Sequence, residues 1–301
     1  MANSVRGPYV AGLLAVSILW AGTFLFVKVA DRDIPPLSVM AVRAVISCSF
    51  MLLVFAVLKK PLLTDVRSLR HQASFAICGL LVAYMWFTIA RSETVLSASH
   101  AAFLITFLPV SSWLIGVSLT HTRAFRWINL LGAVVAVSGI GFMVGVDNIL
   151  QGSNNLWSSL LYISGLLAFS VSASLNKRWC TGMDPFVLTT FNLFYAALGL
   201  GTLALIFDAP FSASYHQDSL LALLGLGVFS TGVGYLIFYW LVLRAGAEFA
   251  CLNGYLVPVL GVLMGVMFLG ESVTPMQILG LFLALAGIYL SEWDNASLKG
   301  I

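Results

Sequence analysis

The sequence predicts an all-α integral membrane protein with ten transmembrane helices, built as two inverted repeats of five. Three observations carry that prediction. First, 60% of the 301 residues are hydrophobic, only 9% are charged, and mean hydropathy is +0.99. A soluble domain is about 25% charged, so this chain could not clothe a water-facing surface. Second, the apolar runs are long enough to cross a bilayer, which takes about 20 residues in a helix. They are about twice the length of a membrane β-strand and do not alternate, which excludes a barrel. Third, the chain matches itself. Lys28 and Lys177, Pro36 and Pro185, Pro109 and Pro258, and Gly116 and Gly265 all lie 149 residues apart. Gly132 and Gly280, and Gly139 and Gly287, follow at 148.

The spans run in order. The first, 8–30, follows Arg6 and is too long for a signal-peptide core; no Ala-x-Ala site follows, so it reads as a retained helix. The next are 37–58, 72–90, 97–119 and 126–146, which complete a first repeat over 1–146. A linker over 147–155 leads to 156–176, 186–207, 219–240, 248–270 and 274–292. These make a second repeat over 156–292, with a tail over 293–301. Spans 4 and 9 carry Pro109 and Pro258 near their middles. Spans 5 and 10 carry matched small-residue pairs, Gly132/Ala136 and Gly280/Ala284, and span 9 carries Gly261/Gly265. Such spacing lets helices approach closely. Packing within one subunit is the favoured reading, and a homodimer through helices 5 and 10 the alternative.

Orientation follows from Lys and Arg. With the N-terminus inside, eleven of them fall on the cytoplasmic side: Arg6, Lys59, Lys60, Arg67, Arg70, Arg123, Arg126, Lys177, Arg178, Arg244 and Lys299. Lys28, Arg32 and Arg91 fall outside, and Arg43 lies within a span. Both termini are therefore expected in the cytoplasm, with the protein in the inner membrane. Trp127, Trp157, Trp179, Trp240 and Trp293 sit near span ends as an interfacial belt. Five spans per copy is an odd number, so the second copy enters from the opposite side and the repeat is inverted.

Composition also excludes functions. No basic stripe for nucleic acid is present. Cys48, Cys78, Cys180 and Cys251 are scattered, which predicts neither disulfide nor metal site. No phosphate-binding loop exists, and no cofactor is expected. A multi-span enzyme would need an intramembrane acid, His or ligand cluster, and a scaffold would not need an inverted repeat.

The stretch Gly234–Tyr289 resembles the EamA repeat of the drug/metabolite transporter superfamily. The resemblance rests on Ala245–Glu248, Leu256-Val257-Pro258, Leu269-Gly270-Glu271, Gln277, Gly280 and Gly287. The first copy resembles it more loosely through Trp20, Gly22, Phe24, Lys28, Pro109, Gly132 and Gly139, and departs from it at His121-Thr122. This implies ten helices in a 5+5 inverted repeat and the export of small polar or amphipathic metabolites.

Several residues are candidates for function. A mid-helix proline frees the carbonyl four residues back; here these are Ile105 and Gly254. Paired kinks at Pro109 and Pro258 would line a midplane site. Trp20, Tyr84, Trp86, Thr106, Tyr195, Tyr235 and Asn253 are candidate cavity walls. Arg43, about 9 Å into span 2 at 1.5 Å per residue, has Asn192 as its repeat partner. Lys28, Arg43, Arg91 and Glu93 on one face, and Lys177, Asn192, Arg244 and Glu248 on the other, form two candidate gates. Snorkelling is the competing reading for both lysines. No acid sits deep in a span, so His100 is the candidate proton relay, and a facilitator or exchanger is the simpler expectation.

Overall fold

The computed structural model describes residues 2–58, 68–96, 98–119, 126–144, 154–208, 216–270 and 272–298. Lys59, Lys60, Arg67, Arg123, Lys299, His121-Thr122, Glu271 and most of the 147–155 linker lie outside them. Among the described residues every regular element is helical. In chain order these are α1 (Ala2–Ala30), α2 (Pro36–Val57), α3 (Leu69–Glu93), α4 (Ala98–Leu104), α5 (Phe107–Ser118) and α6 (Trp127–Val144). Then come α7 (Asn154–Trp179), α8 (Pro185–Phe207), α9 (Gln217–Gly225), a π segment (Leu226–Val233), α10 (Gly234–Ala245), α11 (Ala247–Cys251), α12 (Asn253–Leu269) and α13 (Pro275–Leu298). Among the described residues, seven helical stretches are long and apolar enough to cross a membrane, and three shorter apolar helices accompany them.

Two expected continuous spans are interrupted. Span 4 breaks between Leu104 and Phe107. Pro109 has no N–H to give the Ile105 carbonyl, which takes the Leu108 N–H at 2.8 Å instead. Span 9 breaks at Leu252, leaving Pro258 inside α12. The expected span 219–240 is longer than the sequence reading, running 217–245, and widens into the π segment. Pro at the N-terminal positions of α2 and α8 starts those helices without wasting a donor. Gly246, at φ 105°, turns the chain after α10 while its N–H reaches the Leu241 and Val242 carbonyls. A side chain would be strained in that left-handed conformation.

The helices leave apolar faces outward. Leu53, Val57, Ile206, Phe207, Met267 and Phe282 are exposed, a pattern that lipid stabilises and water would not. Trp127 and Trp157 stand exposed at the starts of α6 and α7, where an interfacial belt places them.

Contacts between the two halves are reciprocal. On α6 and α13, a methyl on Gly139 would overlap the backbone of Gly280 and Ala284, and one on Gly287 that of Gly132 and Ala136. These small faces therefore pack against each other within the chain. A methyl on Gly79 would meet the Asn192 carbonyl, and one on Gly227 the Arg43 carbonyl. Helix α1 runs antiparallel to the π segment and α10: Tyr9 packs on Trp240 at 5.3 Å, and Trp20 donates to the Ser230 carbonyl at 3.1 Å. Helix α3 runs antiparallel to α7, with Ser92 bonded to the Ser158 carbonyl and Ser172 to the Cys78 carbonyl.

Candidate substrate cavity

Helices α1, α2, α3, α5, α7 and α10, with the α4–α5 break, enclose a cavity of about 60 Å³. Its walls are aromatic. Trp20 lies 5.0–5.7 Å from Phe238, Tyr235 and Phe169 by ring centroid, and Trp86 meets Tyr235 edge-on at 5.4 Å. Trp20 reaches this position because Gly234 has no side chain to obstruct it. The π segment supplies its hydrogen bond: wider winding leaves backbone carbonyls such as that of Ser230 free to accept from elsewhere.

Two charged residues line the same cavity, Arg43 and Glu93. Arg43 is 3% exposed and Glu93 5%. The guanidinium stacks over Trp86, 4.4 Å from the ring centroid. Its Nε donates to Thr231 Oγ1 at 3.0 Å, and Nη1 lies 3.5 Å from the Met40 sulfur. Thr231 is itself tied to the Leu226 carbonyl across the π turn. A desolvated cation–π contact contributes about 2 kcal/mol and a hydrogen bond to a charged group about 1.5–3 kcal/mol. Burying an ion costs several kcal/mol. Those contacts roughly offset the burial, and Glu93 provides the counter-charge within range.

The expected wall residues divide. Trp20, Trp86 and Tyr235 line the cavity, joined by Phe24, Met85, Tyr162, Leu166 and Phe169. Ile105 and Leu108 line it too, whereas their neighbours Thr106 and Pro109 face away. Thr106 turns its hydroxyl to the Phe103 carbonyl. Pro109 packs against Gly254, whose Cα also faces the Ile105 carbonyl. The first proline kink thus marks a crossing between the halves. Tyr84 is 42% exposed and bonds Ser164; Tyr195 bonds Gln72. Asn253 is fully buried with neither amide atom partnered. Helical spacing could have found the missed residues: Tyr162, Leu166 and Phe169 form one stripe, as do Trp86, Ile89 and Glu93.

The expected gates divide as well. Arg43 and Glu93 both line the cavity. Lys28 instead donates to the carbonyls of Glu93 (3.1 Å) and Leu96 (3.2 Å), and Lys177 to that of Leu243 (2.5 Å). Each lysine caps the C-terminal end of a helix in its own half, where carbonyls lack intrahelical partners and the dipole favours a cation. Arg91 and Arg244 are exposed. Glu248 lies beside Gly246. Asn192 belongs to a fully buried polar cluster. Its Nδ2 donates to Asn176 Oδ1 at 3.3 Å, and Asn176 approaches Ser172 at 3.5 Å. His100 is buried with Nε2 3.3 Å from Ser159 Oγ.

At the Lys28 end, polar contacts join the halves that the sequence did not single out. Asp208 accepts from the backbone N–H (2.9 Å) and hydroxyl (3.3 Å) of Ser38. Asp33 accepts from Ser219 and lies 3.2 Å from His216 Nδ1. Burial, reinforced by Asp208 and opposed by Lys28, pushes the Asp31 carboxyl up to about 7.

A bundle of lipid-facing helices packed around an aromatic cavity lined by a buried arginine and a buried glutamate has the architecture of a membrane transporter. The comparisons agree: the EamA-like transporter family matches residues 7–145 and again 156–293, and the chain belongs to that family. It is 24% identical to the uncharacterized transporter YoaV of Bacillus subtilis over 96% of this chain and 98% of that one. It is 24% identical to Protein PagO of Salmonella typhimurium over 92% and 90%. It is 23% identical to the uncharacterized inner membrane transporter YedA of Escherichia coli K12 over 94% and 90%. A crystal structure with 17% identity shares the fold, with a TM-score of 0.73 over 96% of this chain and 98% of that one.

Proposed function

We propose that this chain exports small metabolites across the cytoplasmic membrane by alternating access between two inverted five-helix repeats, with both termini in the cytoplasm. The carrying observation is the buried Arg43, stacked on Trp86 and facing Glu93 across an aromatic cavity. A site with one cation, one carboxylate and ring walls recognises a small zwitterion or amphiphile, and an amino acid is the load it suits best. The reciprocal contacts between the halves support the inverted arrangement. A cavity of about 60 Å³ is narrow against the several hundred Å³ of a ligand pocket. The structure is therefore read as a contracted state, which one half must shift against the other to load.

Counterflow in proteoliposomes tests this, using a panel of radiolabelled amino acids and small organic cations. Exchange of at least one compound is expected, falling roughly tenfold or more in Arg43→Lys, which loses the planar stack and the Nε–H bond. No counterflow across the panel, or wild-type rates in folded Arg43→Lys, would overturn the proposal.

A further inference from the structure

Asn192 stands 149 residues after Arg43, so the repeat places it at the mirror position of the cavity arginine. It is 1% exposed and sits with Asn176 and Ser172, each fully buried. Ser172 bonds the Cys78 carbonyl at 3.0 Å. Tyr239 faces Ser172, Cys78 and Cys180 and stacks edge-on to Tyr235 and Phe238, the rings between this cluster and the cavity. The Asn192 Oδ1 acceptor and the Tyr239 hydroxyl are both without a partner. Lys177, next in sequence to Asn176, donates to the Leu243 carbonyl. Unmet polar groups in a membrane core are costly and call for a partner that donates to Asn192 and can accept from Tyr239.

We propose that Ser172, Asn176, Asn192 and Tyr239 form a second substrate subsite, opening to the face that carries the N-terminus, which takes a hydrogen-bond donor group such as an ammonium, amide N–H or hydroxyl. Resting on the alternating-access reading, it is the mirror counterpart of the Arg43 pocket. The aromatic layer between them separates the two, so a substrate engages one subsite in each state. Apolar residues at both 176 and 192 remove the unmet acceptor and its bonded amide together and favour the closed cluster.

Cys78 reports on this directly. In a Cys48→Ser, Cys180→Ser, Cys251→Ser background its buried thiol is the remaining cysteine. A membrane-impermeant maleimide is applied to sealed vesicles from either side, and counterflow is measured on the same vesicles. The expected result is alkylation of Cys78 from the N-terminal face alone, slowed roughly tenfold in the Asn176→Leu/Asn192→Leu double variant, which removes the unpaired acceptor without stranding the amide that Asn192 bonds. A purely structural network would loosen on losing its amide pair, so the double variant would leave the rate unchanged or raise it. That result overturns the subsite, as does labelling from the opposite face or from neither. Because counterflow is read separately, a missing subsite in a chain that still transports overturns this inference alone, and absent counterflow overturns the transport reading.

Discussion

Replacing Gly254 with alanine should disrupt the crossing where the two halves touch at their broken helices. A Cβ there would stand 2.5 Å from Pro109 Cδ, 2.9 Å from Pro109 Cγ and 3.2 Å from the Ile105 carbonyl oxygen. Carbon atoms rest at about 3.5–4.0 Å, so the α4–α5 break must retreat by about 1 Å. Neither a proline ring nor a backbone carbonyl can rotate aside. Overpacking of this kind costs about 1–3 kcal/mol. In detergent-solubilised protein it should appear as a fall in Tm of roughly 3–6 °C. The double-mutant cycle with Pro109→Ala isolates the cause, because that change deletes Cγ and Cδ and leaves room for the new methyl. Coupling of about 1–2 kcal/mol in the restoring direction is expected. A Tm within error of wild type for Gly254→Ala, or additive single and double variants, would refute the contact.

Further predictions concern the polar ends. Lys28→Met and Lys177→Met each strip a cap from a helix end and should lower stability by about 1–2 kcal/mol; equal Tm values for both variants and wild type would show that the lysines only snorkel. Asp31 has its carboxyl raised from 3.8 to about 7. The folded state thus holds this proton more tightly than the unfolded state, and the associated stability is complete below pH 3.8 and lost as pH rises through about 7. Tm should fall between pH 5 and 8, and Asp31→Asn should flatten that slope. Asp33 does not contribute there: the Ser219 hydrogen bond lowers its pKa, so its effect lies at more acidic pH. A slope that survives in Asp31→Asn would assign the titration elsewhere.

The sequence made some of the site legible and hid the rest for definable reasons. Arg43 stood out because a cation within an apolar run is rare, and Trp20, Trp86 and Tyr235 because polar and aromatic groups within the spans are natural walls. Glu93 read as a turn residue because nothing local shows that the end of α3 folds over the cavity. Pro109 and Pro258 were legible as kinks, but which way a kink faces depends on its neighbours. Here Pro109 faces Gly254. The π segment left only a cluster of glycines as its trace, since its winding is fixed by packing against Arg43, Phe50 and Trp20.

By itself the sequence determined the solvent, the helical class and the duplication. These follow from composition, run length and spacing, which are properties of the chain read residue by residue, and lipid allows its polar backbone few ways to be satisfied. Only the tertiary structure decided which charges meet. Lys28 and Lys177 became helix caps, Arg43 and Glu93 lining of one cavity, and Asn192 the head of a buried polar cluster, because partners 16 to 188 residues distant in sequence are chosen by helix facing and by glycines that let backbones close.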